Sequence, residues 1–319
     1  MRKYDRNAAF NIALKMLLFF VAFALFFCLL AVVFRIDYLI AAVISAISAT
    51  ATILIFSFLL RYTGFYYAYY SFVSAFIHTS RQGRVYCPCC GKHFDQFKDE
   101  RFYDDSTRFN PEMFSCSRQD VICDYCRSAP RHRIIAEWAG NSTELLRGSK
   151  ILYFAPELSM MLWFRRHGIH VRTADLFDKR ADLKLDLTDV DLPDESEDIV
   201  FCNHVLEHVS DHIAALSELH RIIRKDGILI ISFPIDNDSE HIREERTGLA
   251  EERIRLFGQN DHLRVFGRDS RKMLEDAGFE VDTINVGDMP KCIVPVNGPA
   301  DYDTNEIFIC VKKIKRVSI

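Results

Sequence analysis

The sequence predicts an α/β protein: an open, doubly wound, mostly parallel sheet, preceded by a small zinc-binding module and a two-helix transmembrane hairpin. Three observations carry this. Two long uncharged runs open the chain, two Cys-x-x-Cys pairs follow, and short apolar strands alternate with amphipathic helices over the second half. The 319 residues, 49% of them hydrophobic, are enough for about two domains and a sizeable core, which excludes disorder over most of the length. Forty Lys and Arg against 44 Asp and Glu leave a net charge of −4, so no nucleic-acid partner is expected.

The first element is the hairpin, residues 1–61. No charge occurs from Met16 to Phe34 or from Tyr38 to Leu60. At ~1.5 Å of rise per residue, runs of this length cross a hydrocarbon core ~30 Å thick. The spans are placed at about 10–34, with Lys15 snorkelling to the surface, and at 38–60. Only Arg35, Ile36 and Asp37 separate them, so both ends lie on one side of the lipid bilayer. Arg2, Lys3, Arg6, Arg61, Arg81 and Arg84 flank the pair, and the positive-inside bias makes that side the cytoplasm. The expectation is an integral membrane protein with both termini and the soluble part cytoplasmic. A cleaved signal peptide fits less well, because the first run is too long and no small-residue cleavage site follows it. Residues 62–84 form a juxtamembrane aromatic segment, rich in Tyr from Tyr62 to Tyr70. It reads either as an interfacial helix or as an aromatic helix packed on the soluble part.

The second element, 85–140, is a cysteine module. Cys87-Pro88-Cys89-Cys90-Gly91 and Cys123-Asp124-Tyr125-Cys126 form two Cys-x-x-Cys pairs, the pattern of tetrahedral zinc. Cys87, Cys90, Cys123 and Cys126 are the expected ligands, with Gly91 allowing the knuckle to turn, and Cys89 and Cys116 are spare thiols. A redox Cys-x-x-Cys normally stands alone at a helix start, so the doubled pattern favours metal. A closed four-thiolate site stabilises and does not catalyse, and reduced thiols agree with the cytoplasm. Arg131, His132 and Arg133 follow on a helix reaching Trp138, as a basic contact for an anion or as a solvated helix face.

The third element, 141–319, alternates strands and helices. Strands are expected at 150–155, 170–174, 183–185, 198–202, 228–232, 280–286 and 307–311. Helices are expected over 157–167, from a Ser210 cap to Gly227 with Ile213, Leu216, Leu219, Ile222 and Ile223 as its buried stripe, and over 269–277. Ligands in such sheets bind beyond the carboxyl ends of the strands. Asp175 stands there, 20 residues after Ala155, the separation at which dinucleotide-type folds put a carboxylate on a ribose diol. Asp186 follows the next strand, as a second binding residue or as a turn cap. Ala155-Pro156-Glu157 replaces the glycine-rich phosphate loop, and Pro156 has no amide to give a pyrophosphate. An adenosine ligand without phosphate therefore fits better than a dinucleotide. His204 and His208 have the i, i+4 spacing that metal sites use. Without a third ligand nearby in sequence they read as core or capping histidines.

Residues 186–209, ending in Asn203-His204-Val205-Leu206-Glu207-His208-Val209, together with 219–227, resemble the class I S-adenosylmethionine-dependent methyltransferases. The likeness extends to a subfamily in which a Cys-Pro-x-Cys-Gly knuckle and an Arg-His-Arg helix precede an Ala-Pro-Glu loop. In that subfamily a Phe-Gly-Gln-x-Asp-His-x-Arg stretch, here from Phe257, precedes the last helix. It covers about 85–319 and leaves the hairpin outside. The resemblance implies a Rossmann-like sheet and S-adenosylmethionine as cofactor. It implies that Ala155, Pro156 and Glu157 run beside the methionine moiety, Asp175 holds the ribose, Asp186 and Leu187 meet the adenine edge, and Asn203 and His204 lie under the sulfonium.

Sulfonium methyl transfer needs mainly positioning, and a base when the acceptor is a hydroxyl or amine. His204 is the first candidate base because imidazole titrates near neutrality, and Asp261 with His262, beside Arg264, is the second. The expected function is a membrane-anchored methyltransferase working on an unidentified acceptor such as a lipid-linked or glycan intermediate. The alternative is a zinc-stabilised, membrane-tethered interaction module whose methyltransferase-like domain does not catalyse.

Overall fold

Apolar residues alternate their side chains across a strand, so a sheet covered on both faces needs strands that are apolar throughout. Ile151–Phe154 and the Ile199–Cys202 stretch of Glu197–Asn203 meet that need, and across both strands every residue but Asp198 is buried. They form the centre of the sheet in a computed structural model that describes residues 83–98, 121–236, 238–245, 248–257, 259–284, 289–294 and 307–312. The chain divides into two units, Met1–Ile77 and His78–Ile319. The hairpin, nearly all of the juxtamembrane segment and Cys116 lie outside the described residues. Among the described residues, no helix is long and apolar enough to cross a membrane.

In chain order the elements are β1 (Val85–Cys87), β2 (Lys92–Phe94), α1 (Pro130–Asn141), α2 (Thr143–Arg147), β3 (Ile151–Phe154), α3 (Leu158–Arg166) and β4 (Arg172–Ala174). They continue with β5 (Glu197–Asn203), α4 (His212–Ile222), β6 (Ile223–Ser232), β7 (Arg243–Glu244), α5 (Ala250–Phe257), β8 (Arg264–Val265), α6 (Ser270–Asp276), β9 (Phe279–Ile284) and β10 (Ile307–Lys312). The main sheet has six strands in the order β4-β3-β5-β6-β10-β9. The first four are mutually parallel, and β10 inserts antiparallel between β6 and β9. The sheet is Rossmann-like and mixed: mostly parallel, as expected, with β10 reversed.

The two faces divide by strand parity. Leu152, Phe154, Val200, Cys202, Leu229 and Ile231 pack with Leu216 and Leu219 of α4 and Leu274 of α6. On the other face, Tyr153 and Phe201 meet Phe164 of α3, and Trp138 of α1 reaches Phe201 edge-on.

Four expectations are corrected. The strand at 183–185 reduces to one bridge, Ala174 to Leu183, because Asp175 opens a turn and β4 ends before Leu185 can pair. The cap of α4 is Asp211, not Ser210: its Oδ1 accepts from the Ile213 and Ala214 amides, each at 3.0 Å. Ile213 is 58% exposed, because the buried stripe of α4 runs through Ala215, Leu216, Leu219 and Ile222. The helix stops at Ile222, five residues before Gly227, since Ile223 is already extended and pairs with Glu197 across a bulge. Gly227 instead sits inside β6, where an added Cβ would fall 2.9 Å from the Asp198 carbonyl oxygen.

Candidate functional site

The cysteine module folds so that four thiols converge. Cys87 and Cys90 flank the β1–β2 turn, and Cys123 and Cys126 flank a second turn before α1; all four are buried and free of disulfides. Their sulfurs lie within 4.8 Å of one another, with Cys87 to Cys126 at 3.6 Å and Cys90 to Cys123 at 3.9 Å. A tetrahedral ion at ~2.3 Å from each sulfur sets the thiolates about 3.8 Å apart, so the donor set fits zinc. Both knuckles need a left-handed residue after their second cysteine. Gly91 takes φ +70° and Arg127 takes φ +60°, and their amides donate to the Cys87 and Cys123 carbonyls. Arg166 of α3 donates to the Pro88 and Cys89 carbonyls at 3.1 Å each, which docks the knuckle on the sheet unit. Cys89 is buried outside the cluster, 3.4 Å from the His132 carbonyl.

Arg131, His132 and Arg133 are neither an anion site nor a solvated face. Arg133 is fully buried over the Phe97 ring and donates to the Val121, Ser128 and Ile293 carbonyls, tying three segments together. His132 Nδ1 accepts from the Ala129 amide at the start of α1, which fixes Nε2 as the donor to Glu157 at 2.5 Å. Arg131 donates to the same Glu157 Oε1 at 2.9 Å, and the Tyr153 hydroxyl donates to Oε2 at 2.9 Å. Burial alone would raise the Glu157 pKa, but His132 and Arg131 outweigh it and hold the carboxyl well below the usual range. Burial pushes the His132 pKa down, so its neutral tautomer serves as donor. Glu157 is therefore engaged by three protein donors. The network continues through Asn203, 3.4 Å from the Tyr153 hydroxyl, to Ser232, which donates to Asn203 Oδ1 at 2.9 Å.

These groups stand at the carboxyl ends of β3, β5 and β6. Two residues there carry strained backbone: Ala155 has φ +47° directly after β3, and His204 has φ +52° directly after β5. A left-handed non-glycine residue costs ~1–2 kcal/mol, and such strain clusters at functional sites. Ala155 adopts the conformation a glycine would supply, so the chain keeps the turn of a glycine-rich loop without the glycine.

Asp175 follows β4. Its Oδ1 caps a turn, accepting from the Phe177 amide at 2.7 Å and the Asp178 amide at 2.8 Å, while its Oδ2 has no partner among the described residues. Asp186 is exposed and its Oδ1 takes the Thr188 amide and hydroxyl. Leu187 is 4% exposed in the core, so its side chain packs under the sheet.

The two segments that carry the candidate bases, distant in sequence, meet in space through Glu207 and His208. The Leu263 amide donates to the Glu207 carbonyl at 2.8 Å, bringing Asp261 and His262 against the turn after His204. Arg264 is a strut, fully buried, donating to the Leu206, Val209 and Ser210 carbonyls and to Glu244. His208 lies 3.4 Å from Asp261 Oδ2, and His204 Nδ1 lies 3.2 Å from Glu207 Oε1. Glu207 was legible only as part of a motif. Its complete burial is visible only in the fold. A cleft between α4 and α6, lined by Leu216, His220, Met273 and Ala277, contains none of these groups.

Residues 155–231 match the family model described as "Methyltransferase domain". The segment begins at Ala155 and ends in β6, so it spans the strand ends just described. Residues 155–231 thus carry a methyltransferase domain. Solved structures similar to the chain include a Burkholderia thailandensis 1,6-didemethyltoxoflavin-N1-methyltransferase with bound S-adenosylhomocysteine. It is 16% identical, covers 56% of this chain and 78% of its own, and has a TM-score of 0.39. A SAM-dependent methyltransferase from Archaeoglobus fulgidus is also 16% identical, over 59% of this chain and 96% of its own, with a TM-score of 0.39. One from Mesorhizobium loti is 16% identical over 55% and 95%, with a TM-score of 0.38. No match was found among the curated proteins.

Proposed function

We propose that the protein is a membrane-anchored S-adenosylmethionine-dependent methyltransferase of the zinc-knuckle subfamily. It acts at the cytoplasmic face on an acceptor such as a lipid-linked or glycan intermediate. The observation that carries the enzymatic part is the coincidence of the methyltransferase-domain match with strand ends that gather Ala155, Asp175, Asn203 and His204. The anchoring rests on the two uncharged runs of residues 1–61 and their basic flanks. A structural zinc is supported by the sulfur spacing at Cys87, Cys90, Cys123 and Cys126.

When bound, the cofactor supplies an electrophilic methyl group on a sulfonium. The free Oδ2 of Asp175 accepts from the ribose hydroxyls, and Asp186 closes the adenine end beside the Leu187 backbone. The strained turn at Ala155 and Pro156 lets the backbone lie close to the methionine moiety. Glu157, already held by Arg131, His132 and Tyr153, fixes that loop against α1. Asn203, oriented by Tyr153 and Ser232, and His204 form the floor beneath the reacting centre. His204 Nε2 is buried without a hydrogen-bond partner among the described residues, which leaves it available to take a proton from an acceptor.

Calorimetric titration of the detergent-solubilised full chain with S-adenosylmethionine tests the cofactor. Saturable binding is expected, and no binding would leave the non-catalytic interaction module as the better reading. Carbonate extraction and reporters at both termini test the anchor: the chain should stay in the membrane with both reporters cytoplasmic. An external terminus overturns the hairpin topology.

A further inference from the structure

A buried carboxylate normally collects hydrogen bonds, because leaving its charge unpartnered away from water costs several kcal/mol. Glu207 does not. Its side chain is fully buried and, among the described residues, neither oxygen receives a hydrogen bond, although Oε1 lies 3.2 Å from His204 Nδ1. Two more imidazoles face it. His208 Nε2 is 4.0 Å from Oε1, and one ligand atom each from Glu207, His208 and His262 lie within 4.8 Å of one another.

The outer nitrogens of those imidazoles are already assigned. His208 Nδ1 lies 3.2 Å from the Asp261 carbonyl, and His262 Nδ1 lies 3.1 Å from the Phe257 carbonyl. A carbonyl only accepts, so each Nδ1 carries the proton and each Nε2 presents a lone pair. A ring N–H donated to a carbonyl, with the opposite nitrogen free, is the arrangement of metal-ligating histidines. Two imidazoles and one carboxylate form a donor set that zinc and its neighbours among the divalent transition metals take, with a coordination position left open.

We propose that Glu207, His208 and His262 bind a divalent transition-metal ion, zinc by preference, in a second metal site separate from the four cysteines. His204, at the fourth side of the cluster, is the nearest further donor. An ion at ~2.1 Å from each ligand draws the donor atoms to about 3.4 Å apart, and rotation of His208, which is 33% exposed, supplies that closure. The site sits beside the strand end that carries His204. A metal there places a Lewis acid next to the methyltransferase domain's floor.

Equilibrium dialysis of the full chain against micromolar Zn2+, with elemental analysis, should find two ions per chain. His208→Ala removes a side chain that is one-third exposed, and is expected to fold and to hold one. Co2+ in place of Zn2+ identifies which site is lost: the thiolate-to-cobalt absorption should persist in His208→Ala and Glu207→Gln, while the additional d–d absorption disappears. A wild-type chain that binds cobalt only through thiolates overturns the proposal, and so does a folded His208→Ala chain that keeps both ions. A cobalt spectrum lacking the thiolate band but sensitive to His208→Ala would support this site while refuting zinc at the cysteines.

Discussion

Asp175 has two oxygens with two different tasks, so Asp175→Asn separates them. Oδ1 accepts two backbone amides, at 2.7 and 2.8 Å, and an asparagine oxygen takes over that role. Oδ2, unpartnered among the described residues, becomes an NH2 group that cannot accept from a ribose diol. Hydrogen bonds to a charged group are worth ~1.5–3 kcal/mol, and ~1.4 kcal/mol is a decade of affinity. S-adenosylmethionine should therefore bind Asp175→Asn roughly tenfold to a hundredfold more weakly by calorimetry. The turn survives, so Tm should move by no more than about 1–2 °C, the shift of a ~0.5 kcal/mol change in a domain of this size. Asp175→Ala loses the turn bonds as well, at about 1 kcal/mol, and should lower Tm by about 2–4 °C with the same loss of affinity. An Asp175→Asn chain that binds the cofactor like the wild type would refute the ribose assignment and leave Asp175 a turn residue.

Replacing Cys123 and Cys126 together with Ser should release the thiolate-bound metal and lower Tm sharply; retention of the thiolate-to-cobalt absorption would show that the four sulfurs do not form the site. Gly91→Ala should destabilise by at least ~1–2 kcal/mol, since Gly91 has φ +70° and an added Cβ would lie 1.9 Å from Arg166 Nη2. Arg127→Gly, at φ +60°, relieves backbone strain and should leave Tm unchanged or slightly higher, and equal losses in the two melts would contradict the backbone explanation. Glu157 is held below its ordinary pKa, so the folded state binds fewer protons there than the unfolded chain. Its stabilisation is present above the unfolded value near ~4.3 and is lost as pH falls below it. Chemical denaturation of Glu157→Gln against pH should show a shallower acid loss than wild type, and an identical slope would place the acid sensitivity elsewhere.

The alternation of strands and helices was legible because local periodicity reports which face of an element is buried. That is why β3, β5, β9, β10 and the helices α3 and α6 fall close to their expected positions. The cysteine quartet was legible for a related reason: paired Cys-x-x-Cys spacing is a local constraint of a tight turn, and the fold had only to bring two such turns together. Cap identity and element ends depend on which neighbour a residue finds. Asp211 supplanting Ser210, and Ile223 leaving α4 for a partner in β5, were thus decided by tertiary pairing.

The site divides along the same line. The sequence by itself determined the strand-end positions of Ala155, Asp175 and Asn203, since these follow from where apolar runs stop. Only the tertiary structure decided what surrounds them. It gave Glu157 to Arg131, His132 and Tyr153, turned Arg133 and Arg264 into buried struts, and sank Leu187 into the core. It also set His262, 54 residues away, beside Glu207 and His208, where sequence spacing offered no third ligand. Local pattern records burial and turn geometry, whereas the charge and hydrogen-bond partners of a buried side chain come from segments distant along the chain that only packing brings within reach.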